Sequence, residues 1–129
     1  MKRIFLFFIL QLVVFYAIAQ GDREKVNCSI VKTGTFRYLD IPDTTAFFRI
    51  KKENHTEYHR DGKYHIKSKV KWISDCQYEM KMLSNTIPDF PFKPGAVMLV
   101  TILRIEGDII HYSAEIGGDK WYGRLLKLE

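Results

Sequence analysis

Residues 63–73 alternate between apolar and polar side chains with little interruption. One side of this extended segment carries Tyr64, Ile66, Ser68, Val70 and Trp72. The other side carries a histidine and four lysines. Alternation with a period of two predicts a β-strand with one buried face. Turn signals separate this segment from seven others that we also predict as strands. The eight predicted strands are 33–41, 45–51, 56–60, 63–73, 76–83, 96–105, 109–115 and 120–128.

Short strands joined by short connections predict an all-β fold of the lipocalin-like kind. In this fold an antiparallel meander of about eight strands closes into a barrel. Closure removes the exposed edges that a chain rich in β-branched and aromatic residues needs to protect. A two-sheet β-sandwich is the alternative architecture for the same strands.

The first 19 residues have the composition of a secretory signal peptide. Lys2 and Arg3 precede an apolar run from 4 to 16, and Ala17-Ile18-Ala19 fits a signal-peptidase site. The apolar run is shorter than the roughly 20 residues of a membrane span. We therefore expect a single domain, 20–129, without a transmembrane span after processing. It would be exported to the periplasm, the cell surface or the medium.

Charge and cysteine content add two expectations. Loss of Lys2 and Arg3 lowers the formal net charge from +5 to +3, too little to predict a nucleic-acid partner. The chain has two cysteines, Cys28 and Cys76. Export favours a disulfide between them, and two buried free thiols are the alternative.

Two short motifs carry a resemblance to a known group of proteins. They are Gly34-Thr35-Phe36 followed by Tyr38, and the spaced run Trp72-x-Ser74-x-Cys76-x-Tyr78. Together with the early cysteine, they make the chain similar to small exported proteins of Bacteroidota bacteria that form lipocalin-like barrels. The resemblance implies a fold and a compartment, and it implies no activity.

The segment 55–65 places His55, Glu57 and His59 on one side of a strand. If Asp61-Gly62 is a two-residue turn, these three side chains line the barrel interior. If the turn has three residues, they face solvent. A three-residue turn at 53–55 would place Ile50 opposite Tyr58 and favours the solvent-facing register, because buried unpaired polar groups are costly. We predict neither a metal site nor a cofactor here.

Two other strands give testable predictions of register and cover. A three-residue turn at 73–75 would place Trp72 opposite Cys76 on the inner wall. Strand 96–105 is apolar on both faces, so its outer face needs a cover. The candidates for this cover are the segment around Ile30-Val31, the loop with Phe90 and Phe92, and a second copy of the protein in a homodimer.

A barrel of this size has room for its own side chains or for one small ligand. We expect a non-catalytic binding module, since no serine lies in a nucleophile-elbow motif. The ligand would be a small apolar or aromatic molecule held in a partly filled barrel. The residues predicted to bind it are Tyr38, Phe48, Tyr64, Trp72 and Tyr78. The alternative is a structural or protein-interaction component of the cell envelope with a fully packed core.

Overall fold

A computed structural model describes residues 26–129 and contains eight strands, as the alternation predicts. A 3-10 helix over Cys28–Val31 precedes them. The strands are β1 (Gly34–Tyr38), β2 (Phe47–Lys51), β3 (Asn54–His59), β4 (Tyr64–Ser74), β5 (Gln77–Asn85), β6 (Val97–Glu106), β7 (Ile109–Ile116) and β8 (Asp119–Lys127). The predicted signal peptide, 1–19, lies outside the described residues.

Every strand pairs with its neighbours in sequence, and β1 also pairs with β8, so the sheet closes into an antiparallel barrel. The closing seam pairs Phe36 with Lys127 and Tyr38 with Leu125. The predicted lipocalin-like meander is therefore confirmed, and the sandwich alternative is not. No helix among residues 26–129 is long and apolar enough to cross a membrane.

The 3-10 helix fills one end of the barrel, which we call the packed end. Val31 is 0% exposed there, and it packs in one core cluster with Phe36 and Ile50. Lys127 fixes the helix, because its Nζ donates hydrogen bonds to the carbonyl oxygens of Ile30 at 2.6 Å and Thr33 at 3.2 Å. The β2–β3, β4–β5 and β6–β7 turns lie at this end.

A disulfide joins Cys28 on the 3-10 helix to Cys76 in the β4–β5 turn, with Cα atoms 5.3 Å apart. The predicted pairing is confirmed. The bond attaches the N-terminal segment to the barrel wall. It is also consistent with a location outside the reducing cytoplasm.

The predicted register of β4 and β5 is wrong by two residues. Trp72 pairs with Tyr78, not with Cys76, and Ser74 pairs with Gln77 across the turn. The strands bulge between Trp72 and Ser74, and this irregularity shifts the pairing beyond it. A shift of two residues keeps each side chain on its predicted face, so Tyr78 still points inward.

The preferred register of β3 is also wrong, and here the error reverses the faces. Lys51 pairs with Asn54, so the β2–β3 turn has two residues, and Ile50 lies opposite His55. The turn requires a positive φ of 56° at Lys52, a conformation that a lysine rarely adopts and that its sequence does not signal.

The β3–β4 turn follows the two-residue alternative. Asp61 and Gly62 both have positive φ, as a type I′ turn requires, and His59 pairs with Tyr64. As a result, His55, Glu57 and His59 belong to the inner wall and not to the outer face.

The outer face of β6 stays uncovered by the described residues. Val97 and Leu103 are each 46% exposed. Val31 fills the packed end instead of covering β6, and Phe90 and Phe92 turn toward the barrel interior. Neither of the two intramolecular covers predicted for this face is present.

Candidate functional site

A cavity of about 210 Å³ occupies the end of the barrel opposite the 3-10 helix, which we call the open end. Most of its wall is apolar, contributed by alternate residues of β4 to β8. These include Ile66, Met80, Met82, Met98, Val100 and Leu125. The loop residues Ile41, Phe90 and Phe92 complete the wall at the mouth. The cavity exists because the inner side chains fill the packed end and leave the open end partly empty.

Three of the five predicted ligand-binding residues line this cavity: Tyr38, Phe48 and Tyr78. The other two do not. Trp72 lies at the packed end, with its ring 4.7 Å from that of Tyr78 and Lys32 over its face. Tyr64 lies beside the β3–β4 turn, flanked by Arg60 and Lys63.

A row of charged groups runs from the mouth into the cavity. His59 lies between two carboxylates, with its Nε2 3.4 Å from Glu57 Oε1 and its Nδ1 3.7 Å from Asp43 Oδ2. Both separations are those of ionic contacts, and Nε2 has no well-directed hydrogen bond. Glu57 and His59 line the cavity, whereas Asp43 does not.

Asp43 is positioned by the two connections at the open end. Its Oδ2 accepts a hydrogen bond from the Arg60 backbone N–H at 2.7 Å. Its Oδ1 accepts hydrogen bonds from the backbone N–H and the hydroxyl of Thr45. These bonds, the Thr45 hydroxyl first among them, lower the pKa of the Asp43 carboxyl to about 2. Asp43 therefore stays anionic and holds the β3–β4 turn against the β1–β2 connection.

His55 lies deeper in the cavity and is 2% exposed. Its ring stacks on Phe48 with a centroid separation of 4.4 Å, and its Nδ1 has no hydrogen-bond partner. Burial lowers the pKa of His55 to about 4, and the nearby Glu57 opposes this shift only in part. At neutral pH the cavity wall thus carries an uncharged imidazole with an unsatisfied ring nitrogen.

Glu57 and His59 shift each other's pKa toward the charged forms. Burial alone would raise the pKa of Glu57, but its contacts with His59, His55 and Tyr38 together lower it below the ordinary value. The pKa of His59 is raised, chiefly by its contact with Glu57. Glu57 is therefore a carboxylate at neutral pH, although it lies inside a largely apolar cavity.

Three tyrosines surround this carboxylate as neutral hydroxyl groups. Burial raises the pKa of Tyr38, Tyr78 and Tyr112, in the case of Tyr112 to about 12. Tyr112 requires Gly123 as its cross-strand partner, because a Cβ at position 123 would lie 2.6 Å from the tyrosine oxygen. The tyrosines provide polar groups at fixed positions on aromatic walls.

Sequence reasoning missed the charged part of the site. It considered an inward-facing His55, Glu57 and His59 but favoured the opposite register, and it did not single out Asp43 or Tyr112. The Asp61-Gly62 pair was the signal that could have found the cluster, since this dipeptide is a strong marker of a two-residue hairpin turn. Within residues 26–129, no group of three or more histidine, cysteine or acidic side chains is arranged to hold a metal ion.

Comparison of the chain with models of protein families, with curated proteins and with solved structures found no match. The resemblance to the exported Bacteroidota barrels therefore stays a prediction. The geometry of the cavity is the basis on which a function is assigned below.

Proposed function

We propose that this protein is an exported, non-catalytic binding module that holds one small apolar or aromatic molecule in the open end of its barrel. The observation that carries the proposal is the cavity of about 210 Å³ with a mainly apolar wall. An apolar cavity of about 150 Å³ is enough to bind benzene in another protein. The volume here suits a single ring with a short substituent.

The inward-facing polar groups add to this argument. Small-molecule sites combine an apolar wall with a few polar groups that fix the orientation of the ligand. Glu57, His55 and the hydroxyl of Tyr38 have this arrangement. A core that served only to stabilise the barrel would gain nothing from a carboxylate and an imidazole with an unsatisfied nitrogen, because burying such groups costs free energy.

Export is the second part of the proposal. The Cys28–Cys76 disulfide supports it, because such bonds persist in oxidising compartments. The composition of residues 1–19 supports it as well. The final location, whether the periplasm, the cell surface or the medium, depends on sorting after translocation.

A role in protein interaction is a second candidate, favoured by one observation. The apolar outer face of β6, with Val97 and Leu103 half exposed, has the character of an interface. A second copy of the chain is the partner that this candidate requires. Such a homodimer is compatible with ligand binding, since the face lies outside the barrel and the cavity inside it.

Native mass spectrometry of the exported, oxidised protein tests the proposal, with toluene and indole as added probes. We expect a one-to-one adduct with at least one probe, or a co-purifying molecule that is lost on denaturation. An Ala114→Leu variant, which adds bulk to the cavity wall, should lose the adduct. A Glu115→Leu variant, altered on the outer face of the same strand, should keep it.

A bare mass without any adduct, in a folded protein, would contradict ligand binding. If that bare mass were twice the chain mass, the interaction role on the β6 face would replace the proposed function.

A further inference from the structure

The cavity wall holds one carboxylate, that of Glu57, and beside it the imidazole of His59. Of the described residues that line the cavity, none is a lysine or an arginine, and Glu57 is the carboxylate among them. His55 adds no positive charge, because it is uncharged at neutral pH. The wall therefore offers a negative group and no permanent cation, although the chain as a whole is basic.

The neighbouring groups do not cancel this charge. His59 can carry one positive charge, but it lies within 4 Å of two carboxylates, those of Glu57 and Asp43. Among these three groups, one imidazolium facing two carboxylates leaves one negative charge. The Arg60 guanidinium also acts on His59, but it lies over the Tyr64 ring and does not line the cavity. The Glu57 carboxylate is buried in the cavity wall, so its attraction for a bound cation is screened less than it would be in water.

The remaining walls are also suited to a cation. Tyr38, Phe48, Tyr78 and Tyr112 surround the carboxylate with aromatic rings, whose faces attract positive charge. Nδ1 of His55 is buried in the same wall and has no partner. A buried polar atom that remains unsatisfied in the protein is an indication that a ligand group satisfies it.

We propose that the ligand is a small aromatic amine, bound as its ammonium cation with the nitrogen at Glu57 and the ring among the apolar residues below it. This inference rests on the proposed function and specifies its ligand class. The cavity volume of about 210 Å³ suits a ligand of one ring with an arm of about two carbons. An ammonium group also donates up to three hydrogen bonds, which the carboxylate, the tyrosine oxygens and the imidazole nitrogen can accept.

Isothermal titration calorimetry with three matched probes tests this inference on the exported, oxidised protein. The probes are phenethylamine, 2-phenylethanol and phenylacetate, which share a ring and differ in charge. At pH 7 we expect phenethylamine to bind at least tenfold more tightly than 2-phenylethanol, and phenylacetate to bind most weakly. This comparison uses the unaltered protein and so does not depend on any variant folding.

Two variants and a control locate the effect. Glu57→Gln keeps the shape of the side chain and should reduce the preference for phenethylamine over 2-phenylethanol to less than threefold. His59→Gln removes the imidazolium and should increase that preference. Glu115→Gln removes a carboxylate from the outer face and should leave the preference unchanged.

The outcomes separate this inference from the proposed function. If 2-phenylethanol binds as tightly as the amine, or if Glu57→Gln keeps the full preference, the barrel binds aromatic molecules but the amine assignment is wrong. Tightest binding of phenylacetate would also overturn the assignment, in favour of an anion held by His59. If none of the three probes binds, the proposed function fails together with the inference.

Discussion

At one end of the barrel, the 3-10 helix, the disulfide and a close-packed set of side chains fill the interior. At the other end, the same strands enclose a cavity of about 210 Å³ with a charged mouth. The inner residues of the packed end are almost all apolar, as in Val31, Phe36 and Ile50. Toward the open end, the inner positions of β3 carry Glu57 and His59, and His55 lies deeper in the cavity, opposite Ile50.

The difference suggests a division of work along the barrel axis. Burial of apolar surface and a covalent bond stabilise the fold at the packed end. The cavity wall contains groups that lower stability when they are buried, namely the uncharged His55 and the Glu57 carboxylate. Such groups are tolerated where the remainder of the fold supplies the stability and where a ligand uses them. The following predictions test this division.

Removal of the disulfide should have the largest effect. The Cys28–Cys76 bond closes a segment with a sequence separation of 48 residues. Without this cross-link the unfolded chain has more conformational entropy. This gain predicts a decrease of roughly 4 kcal/mol in the free energy of unfolding. We expect urea titration of a Cys28→Ser, Cys76→Ser double variant to show this decrease, and the reduced native protein to match it. Under conditions where the variant is still folded, probe binding at the open end should persist; its loss would show that the two ends are not separate.

Truncation of one phenylalanine at each end should give unequal losses. Phe36 is 0% exposed and stacks on Phe48, so Phe36→Ala should lower the free energy of unfolding by about 3–5 kcal/mol. Phe90 is half-buried in the loop at the mouth, so Phe90→Ala should cost less than about 1 kcal/mol and mainly weaken probe binding. Thermal and urea unfolding measure both values. Similar losses for the two variants would mean that stability is spread evenly along the barrel.

The pH dependence of stability should reveal His55. Its pKa is about 4 in the folded protein, because burial disfavours the imidazolium, against an ordinary value of 6.5. Between these two pKa values the unfolded chain binds more protons than the folded protein. The free energy of unfolding therefore falls as the pH falls. For this group we expect a loss of about 2 kcal/mol between pH 7 and pH 5. His59, with a raised pKa, acts in the opposite sense and at higher pH.

Variants assign this loss to its source. Urea titration of His55→Gln at pH 7 and pH 5 should show a much smaller decrease than the unaltered protein. His111→Gln, altered on the outer face of β7, should retain the full decrease. Equal decreases in the unaltered protein and in His55→Gln would mean that other groups carry the acid sensitivity.

Much of the fold could be predicted from the sequence. The alternation along β4 identified its inner face, and turn signals at Asp61-Gly62 and Gly117-Gly118 separated the strands. The inner faces of β4 and β5 were predicted correctly despite a wrong register, because a shift of two residues preserves the face. The disulfide was predicted from an even number of cysteines together with the predicted signal peptide.

The site depended on details that the sequence states weakly. A shift of one residue in register moves the β3 side chains to the opposite face of the sheet. The observed register depends on a two-residue β2–β3 turn with a positive φ at Lys52. The solvent-facing register was also preferred because burying an unpaired charge costs free energy. In the structure the buried Glu57 is not unpaired, because His59 and Tyr38 lie beside it. The presence of a cavity depends on which large side chains lie at each end of the barrel, and the strand pattern alone does not determine this. Trp72, predicted to bind ligand, lies at the packed end and does not line the cavity.

The seam between β1 and β8 determines when the barrel can be completed during synthesis. Among the described residues, β1 pairs with β2 and β8, and the hydrogen bond from Lys127 to Ile30 spans 97 positions of the chain. A nascent chain that lacks its last strand therefore has no partner for one edge of β1 and lacks the hydrogen bond from Lys127 to the 3-10 helix. The barrel closes only after the C-terminal strand has emerged, so a chain that crosses a membrane from its N-terminus does so before it can fold completely.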